Sequence, residues 1–220
     1  MGMKKRRSEI GVYLGIYILF FIVLTQILSL RGSVIAIAET IAYIFLGIFG
    51  IFIFQKEIKR GLNEWKIKPL KSCLWLVGAF FADIILQNVA LIPSILICPD
   101  YCSMVGESQA DIVKLLPGFV LLLVFGILGP LTEEFVFRVF AVQVCGEKIP
   151  ACLCVVLSSL AFMLLHMHML TLPELLSNLS ILTTGLVYGI VVYKTENATI
   201  PMALHILNNL LATIGLLMMK

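Results

Sequence analysis

IVKLLPGFVLLLVFGILGPLTEEFVFRVF, residues 112–140, is the stretch that decides the fold. Its apolar part is long enough to cross a bilayer as a helix, which takes about 20 residues. Toward its end, however, stand Glu133, Glu134 and Arg138. Each ionisable group near the bilayer centre costs roughly 2.5–3.5 kcal/mol on insertion scales. Three of them in one apolar run mark a site as well as a span.

Working outward, comparable runs occur at Ile10–Leu30, Val34–Phe54, Cys73–Ile97, Pro150–His166, Leu175–Tyr193 and Thr199–Met219. The chain of 220 residues is 60% hydrophobic and only 13% charged, with a mean hydropathy of +1.06. Soluble domains are about 45–50% apolar and about 25% charged. The reading is an all-α, polytopic membrane helical bundle with about seven to eight transmembrane helices. The uncertainty of one span rests on Gly129-Pro130, because proline removes a backbone donor and can kink or divide a helix.

The net charge of +3 sits mostly in loops and points to no nucleic acid. Lys4, Lys5, Arg6 and Arg7 precede the first span, and Lys56, Lys59, Arg60, Lys66, Lys68 and Lys71 follow the second. Asp100, Glu107 and Asp111 follow the third. The positive-inside rule then places the N-terminus and the 56–71 loop in the cytoplasm. With seven spans the C-terminus lies outside. The expected location is the cell membrane, multi-pass. The basic start resembles a signal peptide, with Ala36-Ile37-Ala38 as a cleavage site. The run 10–30 nonetheless exceeds the usual h-region of about 7–15 residues, so a retained anchor is expected.

The six cysteines show no metal-ligand spacing. Cys98 and Cys102 flank a turn and could pair in an oxidising compartment. Gln55–Ser72 reads as the longest polar loop, with Trp65 at the headgroup level. Glu39 and Asp83 are the ionisable exceptions in the first three spans. The chain reads as one membrane domain, 1–220, with supporting helices in 1–111 and catalytic helices in 112–220.

On a helix, residues four apart share a face. Glu134 and Arg138 can therefore pair, while Glu133 lies roughly 100° away and stays available for another task. A glutamate in a poorly solvated cavity can act as a general base near neutral pH. The expected division of labour is Glu133 as base, with Glu134–Arg138 as its electrostatic frame. His166 closes the fifth span, and His168 falls about 200° around the helix, which makes it the loop residue. His205 and Asn209 share a face of the last span, and Asn208 points elsewhere. A base, two imidazoles and an amide suit addition of water to a carbonyl, with His and Asn groups holding the oxyanion. The same groups suit a metal-bound water, with zinc held by His166, His205 and Glu133, although the H-E-x-x-H pair is missing.

Glu133-Glu134-Phe-Val-Phe-Arg138 resembles the EExxxR motif of the CAAX-protease and bacteriocin-processing (CPBP or Abi) membrane family, relatives of the Ras-converting type of prenyl protease. Phe162-Met-Leu-Leu-His166 matches its FxxxH, and His205-Ile-Leu-Asn-Asn209 its HxxxN. The segment from Gly185 to Pro201 looks like the approach to the third motif. The resemblance covers roughly residues 125–215. It implies an intramembrane endopeptidase open toward the cytoplasm, acting on a prenylated CaaX-type or leader/bacteriocin-type peptide. Glu133 resembles the water-activating residue and Arg138 its support, while His166, His205 and Asn209 complete the pocket. Glutamate-only catalysis with no cofactor is the version taken, with zinc as the alternative. Val139 departs from the glycine that most bacterial members carry after the arginine. Gly would permit closer helix approach, so looser packing is expected there.

Partners implied are the lipid bilayer and a peptide or lipidated-protein substrate. From a different class comes a non-catalytic membrane protein that confers bacteriocin self-immunity. An ion-coupled transporter fits less well, because no matching pair of broken segments suggests an inverted repeat.

Overall fold

The computed structural model describes residues 2–27, 33–101, 115–147 and 149–218. Among these residues there are helices and no strand. Helix α1, Gly2–Ile18, runs on through wider π-helical turns at Leu19–Ile27. Then come α2, Ser33–Ile53; α3, Gln55–Ile67; α4, Pro69–Ile97; and α5, Gly118–Val144. The last four are α6, Ala151–Leu165; α7, Leu172–Ser177; α8, Leu179–Thr195; and α9, Thr199–Met218. Helix α8 packs against α6 and α4, α9 against the first part of α5, and α2 along the middle of α5.

The burial pattern is that of a membrane protein. Along α4 the buried residues are Ser72, Ala79, Asp83 and Ser94, a small and polar stripe on one helical face. The exposed residues include Leu74, Val77, Phe81, Ile85, Ile92 and Leu96. In water such an apolar exterior would be an aggregation liability, whereas in lipid it is the solvated face.

Among the described residues, four helices are long and apolar enough to cross a membrane: α4, α5, α7 with α8, and α9. The α2–α3 pair, bent by 72°, raises the count to five. The expected seven to eight exceeds this because hydropathy finds apolar runs without measuring their length as helices. Helix α6 has 15 residues, which at 1.5 Å each reach about 22 Å, short of a ~30 Å hydrocarbon core. The first run is helical through Ile27, and its last residues, 28–30, lie outside the described ones.

Two further expectations change. The 55–72 segment is helical over most of its length. Gly61 lets α3 dock on the turn before α9, where a Cβ would collide with Asn197 and Thr199. The Asn197 amide donates to the Gly61 carbonyl at 3.1 Å, and Trp65 Nε1 donates to Thr199 Oγ1 at 3.0 Å. Gly129-Pro130 does not divide α5. The turn before it widens, so that the Gly129 N–H donates to the Val124 carbonyl five residues back. The helix thus passes the missing donor of Pro130 without a break. The suggested partner Cys102, like Glu107, Asp111 and Lys114, lies outside the described residues.

Helix α8 approaches α6 closely at Gly185 and Gly189. A Cβ on Gly185 would stand 2.9 Å from the Ser159 Cβ, and one on Gly189 2.8 Å from a Val155 methyl. Such small-residue contacts are how helices associate in lipid. Val139 is fully buried in the core beside the aromatic cluster of Tyr13, Tyr17, Phe135 and Phe137.

Candidate active site

Helix α5 presents both glutamates and the arginine where its α-helical turns pass into the π-helical turns of Phe135–Val144. Such transitions are frequent at functional sites. Glu134 and Arg138 have fully buried side chains and pair at 3.5 Å between Oε2 and Nε. Glu134 Oε1 lies 3.0 Å from His205 Nδ1. A carboxylate only accepts, so the imidazole donates its Nδ1–H there. The other ring nitrogen, Nε2, faces Glu133 Oε2 at 3.6 Å. His205 thus stands between the two adjacent carboxylates.

Arg138 is held by rings as much as by its ion pair. Its Cζ sits 4.7 Å from the centre of the Phe162 ring and 5.4 Å from that of Tyr188. The aromatic faces attract the cation. Nη1 and Nη2 have no hydrogen-bond acceptor among the described residues. Phe162 also lies 5.2 Å from Phe137 and 4.6 Å from the His166 ring. The first residue of the second motif is therefore the hub on which arginine and histidine rest.

His166 caps the end of α6. Its Nδ1 is 2.8 Å from the Phe162 carbonyl. A carbonyl can only accept, so Nδ1 carries a proton and Nε2 takes no part in this bond. His168 is in the following turn, as expected, with its backbone N–H donating to Glu174 Oε1 at 2.6 Å.

Asn209 has a partner that spacing did not reveal. Its Nδ2 donates to the Phe125 carbonyl at 3.2 Å. Gly129 has given its N–H to Val124, and Pro130 has none to give. The Phe125 carbonyl therefore lacks its donors at i+4 and i+5, and Asn209 supplies one from α9. Pro130, three residues before the first motif, and the asparagine of the third fit each other.

Tyr43, on α2, escaped the sequence reading altogether. Its hydroxyl donates to Glu133 Oε1 at 3.1 Å, and its ring packs 4.4 Å from Phe21 and 6.1 Å from Phe125. A tyrosine in an apolar run reads as core, and nothing in its spacing signals a carboxylate on a helix 90 residues away. Asn208 does point elsewhere, to Asp83 Oδ2 at 2.9 Å.

Glu133, Glu134, Arg138 and His205 are thus in polar contact, His166 joins them through the Phe162 ring, and Asn209 is tied to α5. Among the described residues, no three His, Cys, Asp or Glu side chains gather as a metal site would require. Beside this cluster lies an apolar groove of about 800 Å³, walled by Tyr17, Ile22, Phe137, Phe140, Leu157 and Leu165 among others.

Fold and site together define a multi-pass membrane protein with a polar, carboxylate-rich centre inside its helical bundle. Residues 115–211 match the family model described as type II CAAX prenyl endopeptidase Rce1-like. This segment is thus similar to that family over somewhat less than half of the chain, and it holds Glu133, Glu134, Arg138, Phe162, His166, His205 and Asn209, whereas Tyr43 lies outside it. Comparison with curated proteins and with solved structures gave no match.

Proposed function

We propose that the protein is an intramembrane endopeptidase that hydrolyses a prenylated CaaX-type or a leader/bacteriocin-type peptide with glutamate-activated water. The observation that carries this is the placement of Glu133. One of its oxygens is fixed by Tyr43, and the other faces His205 across 3.6 Å, a gap too wide for a direct hydrogen bond and suited to a shared water. Glu133 takes a proton as the water oxygen bonds to the scissile carbonyl carbon, then passes it to the leaving nitrogen as the C–N bond breaks. Glu134, backed by Arg138, orients His205. His205 and the second N–H of Asn209 hold the oxyanion. His166, whose Nδ1 is taken by the Phe162 carbonyl, has Nε2 left for the water or the substrate. The chemistry needs no cofactor. The apolar groove beside Phe137 suits a lipid chain or an apolar peptide segment.

In this reading the whole of 1–220 is one membrane domain, with 1–111 supporting and 112–220 catalytic. The test is direct. Purified protein is offered prenylated CaaX-type peptides and double-glycine leader peptides, with and without a chelator. Cleavage that resists chelation supports the proposal. Activity lost to the chelator and regained with zinc would assign His166, His205 and Glu133 as ligands instead. Bacteriocin protection that survives loss of both Glu133 and His205 would mark a non-catalytic immunity protein.

Orientation follows from the cations of 56–71, which we place in the cytoplasm together with the N-terminus. A cysteine at Asn63 should then resist an impermeant thiol reagent in intact cells, and strong labelling there would reverse the topology.

Tyr43→Phe probes the site from the supporting half. Its ring contacts remain, and only the bond to Glu133 is lost. Hydrogen bonds to charged groups contribute about 1.5–3 kcal/mol, or roughly 10- to 100-fold in rate. A fall of that size in kcat with little change in KM is expected in steady-state kinetics. A variant as fast as the parent would remove Tyr43 from the site.

A further inference from the structure

We infer that Asp83 is a positioning residue for this site, acting through Tyr188 and Asn208 on His205 and Arg138. The inference rests on the protease reading only for its kinetic arm. Asp83 is fully buried in α4, in the half of the chain that the family match does not reach. Its Oδ1 accepts from Thr184 Oγ1 at 2.8 Å. Its Oδ2 accepts from Tyr188 Oη at 3.3 Å and from Asn208 Nδ2 at 2.9 Å. Asn208 also donates to Tyr188 Oη at 2.9 Å, which closes a three-membered polar ring among α4, α8 and α9.

One of these partners, Tyr188, touches the site, and another, Asn208, stands on the helix that carries His205 and Asn209. The Tyr188 ring is fully buried, lies 5.6 Å from the ring of His205 at an angle of 59°, and sits 5.4 Å from the guanidinium carbon of Arg138. Asn208 precedes Asn209 and follows His205 by three residues, about one turn of α9. The hydroxyl of Tyr188 is thus pinned on the Asp83 side, while its face sets the wall behind His205 and Arg138. Gluing helices does not call for a full charge, since neutral Ser, Thr and Asn side chains serve that purpose in lipid. A carboxylate has the capacity to accept from three donors at once and fix their common orientation.

Asp83→Asn keeps the size of the side chain and removes the charge. Tyr188→Phe keeps the ring and removes only the hydroxyl, so it stands as the probe if Asp83→Asn folds poorly. Both should lower kcat by about 10- to 100-fold with KM nearly unchanged, the scale of a displaced catalytic group. The double variant should fall no further than the slower single one. The chain has only three histidines, so ¹⁵N-histidine labelling gives a readout independent of hydrolysis. The His205 ring resonances, assigned by their loss in His205→Gln, should shift in both variants while those of His168 stay in place. Unmoved His205 resonances in folded Tyr188→Phe, or kinetic losses that multiply in the double variant, would overturn the inference. The spectroscopic arm decides it even if the protein cleaves neither peptide class.

Discussion

Glu133→Gln should fold like the parent and lose about 10²–10⁴-fold in cleavage rate, the range that a general base contributes. The glutamine side chain has the same shape, and its amide oxygen still accepts from Tyr43. Its side chain is partly exposed, at 12%, so the exchange leaves no deeply buried charge unpaired. What it removes is the capacity to take a proton from water. The check is kcat alongside a melting temperature in the same detergent. A variant that melts with the parent and cleaves as fast would sink the glutamate mechanism. Equal melting with no cleavage would separate Glu133 from its neighbour, whose roles are easily confused in sequence.

That separation shows what the sequence could and could not say. Bilayer energetics alone flagged Glu133, Glu134, Arg138 and the histidines, and four-residue spacing correctly paired Glu134 with Arg138. Helical spacing also turned Glu133 away from that pair. It could not show what Glu133 turns toward, because Tyr43 comes from a helix 90 residues earlier and its contact is purely tertiary. Asp83 carried a visible charge, yet its three donors lie on α8 and α9, more than 100 residues on. Asn209 looked like a free amide until the π-helical turn before Pro130 left the Phe125 carbonyl for it. Hydrophobic periodicity does not announce a π-helical turn. The charged 55–72 segment reads as a loop from its polarity, whereas its docking surface, Gly61 and Trp65, is a matter of fit. Apolar runs were found at every span, but α6 is shorter as a helix than its run suggested.

Arg138→Ala is expected to reach the membrane in low yield or to melt far below the parent. Glu134 would lose its ion-pair partner with both oxygens out of reach of solvent, and an uncompensated buried charge costs on the order of 3–5 kcal/mol. The faces of Phe162 and Tyr188 would lose the cation between them as well. Against a total stability of about 5–15 kcal/mol for an ordinary domain, such a loss is large. Removing the charge of both partners should behave differently. Glu134→Gln with Arg138→Met leaves no buried ion, and replacing a buried pair by apolar packing is often neutral or stabilising. The double variant should therefore regain yield in the same expression and melting assays. It should not regain cleavage, because His205 Nδ1 would face a neutral amide where it now has the Glu134 carboxylate. Recovery of both would mean that the pair only offsets its own burial. Recovery of neither would mean that the cation itself, seated on Phe162 and Tyr188, holds the helices together. Recovered folding without activity assigns the pair its place in the site: Arg138 makes it possible to bury Glu134, and Glu134 sets the ring of His205 against Glu133.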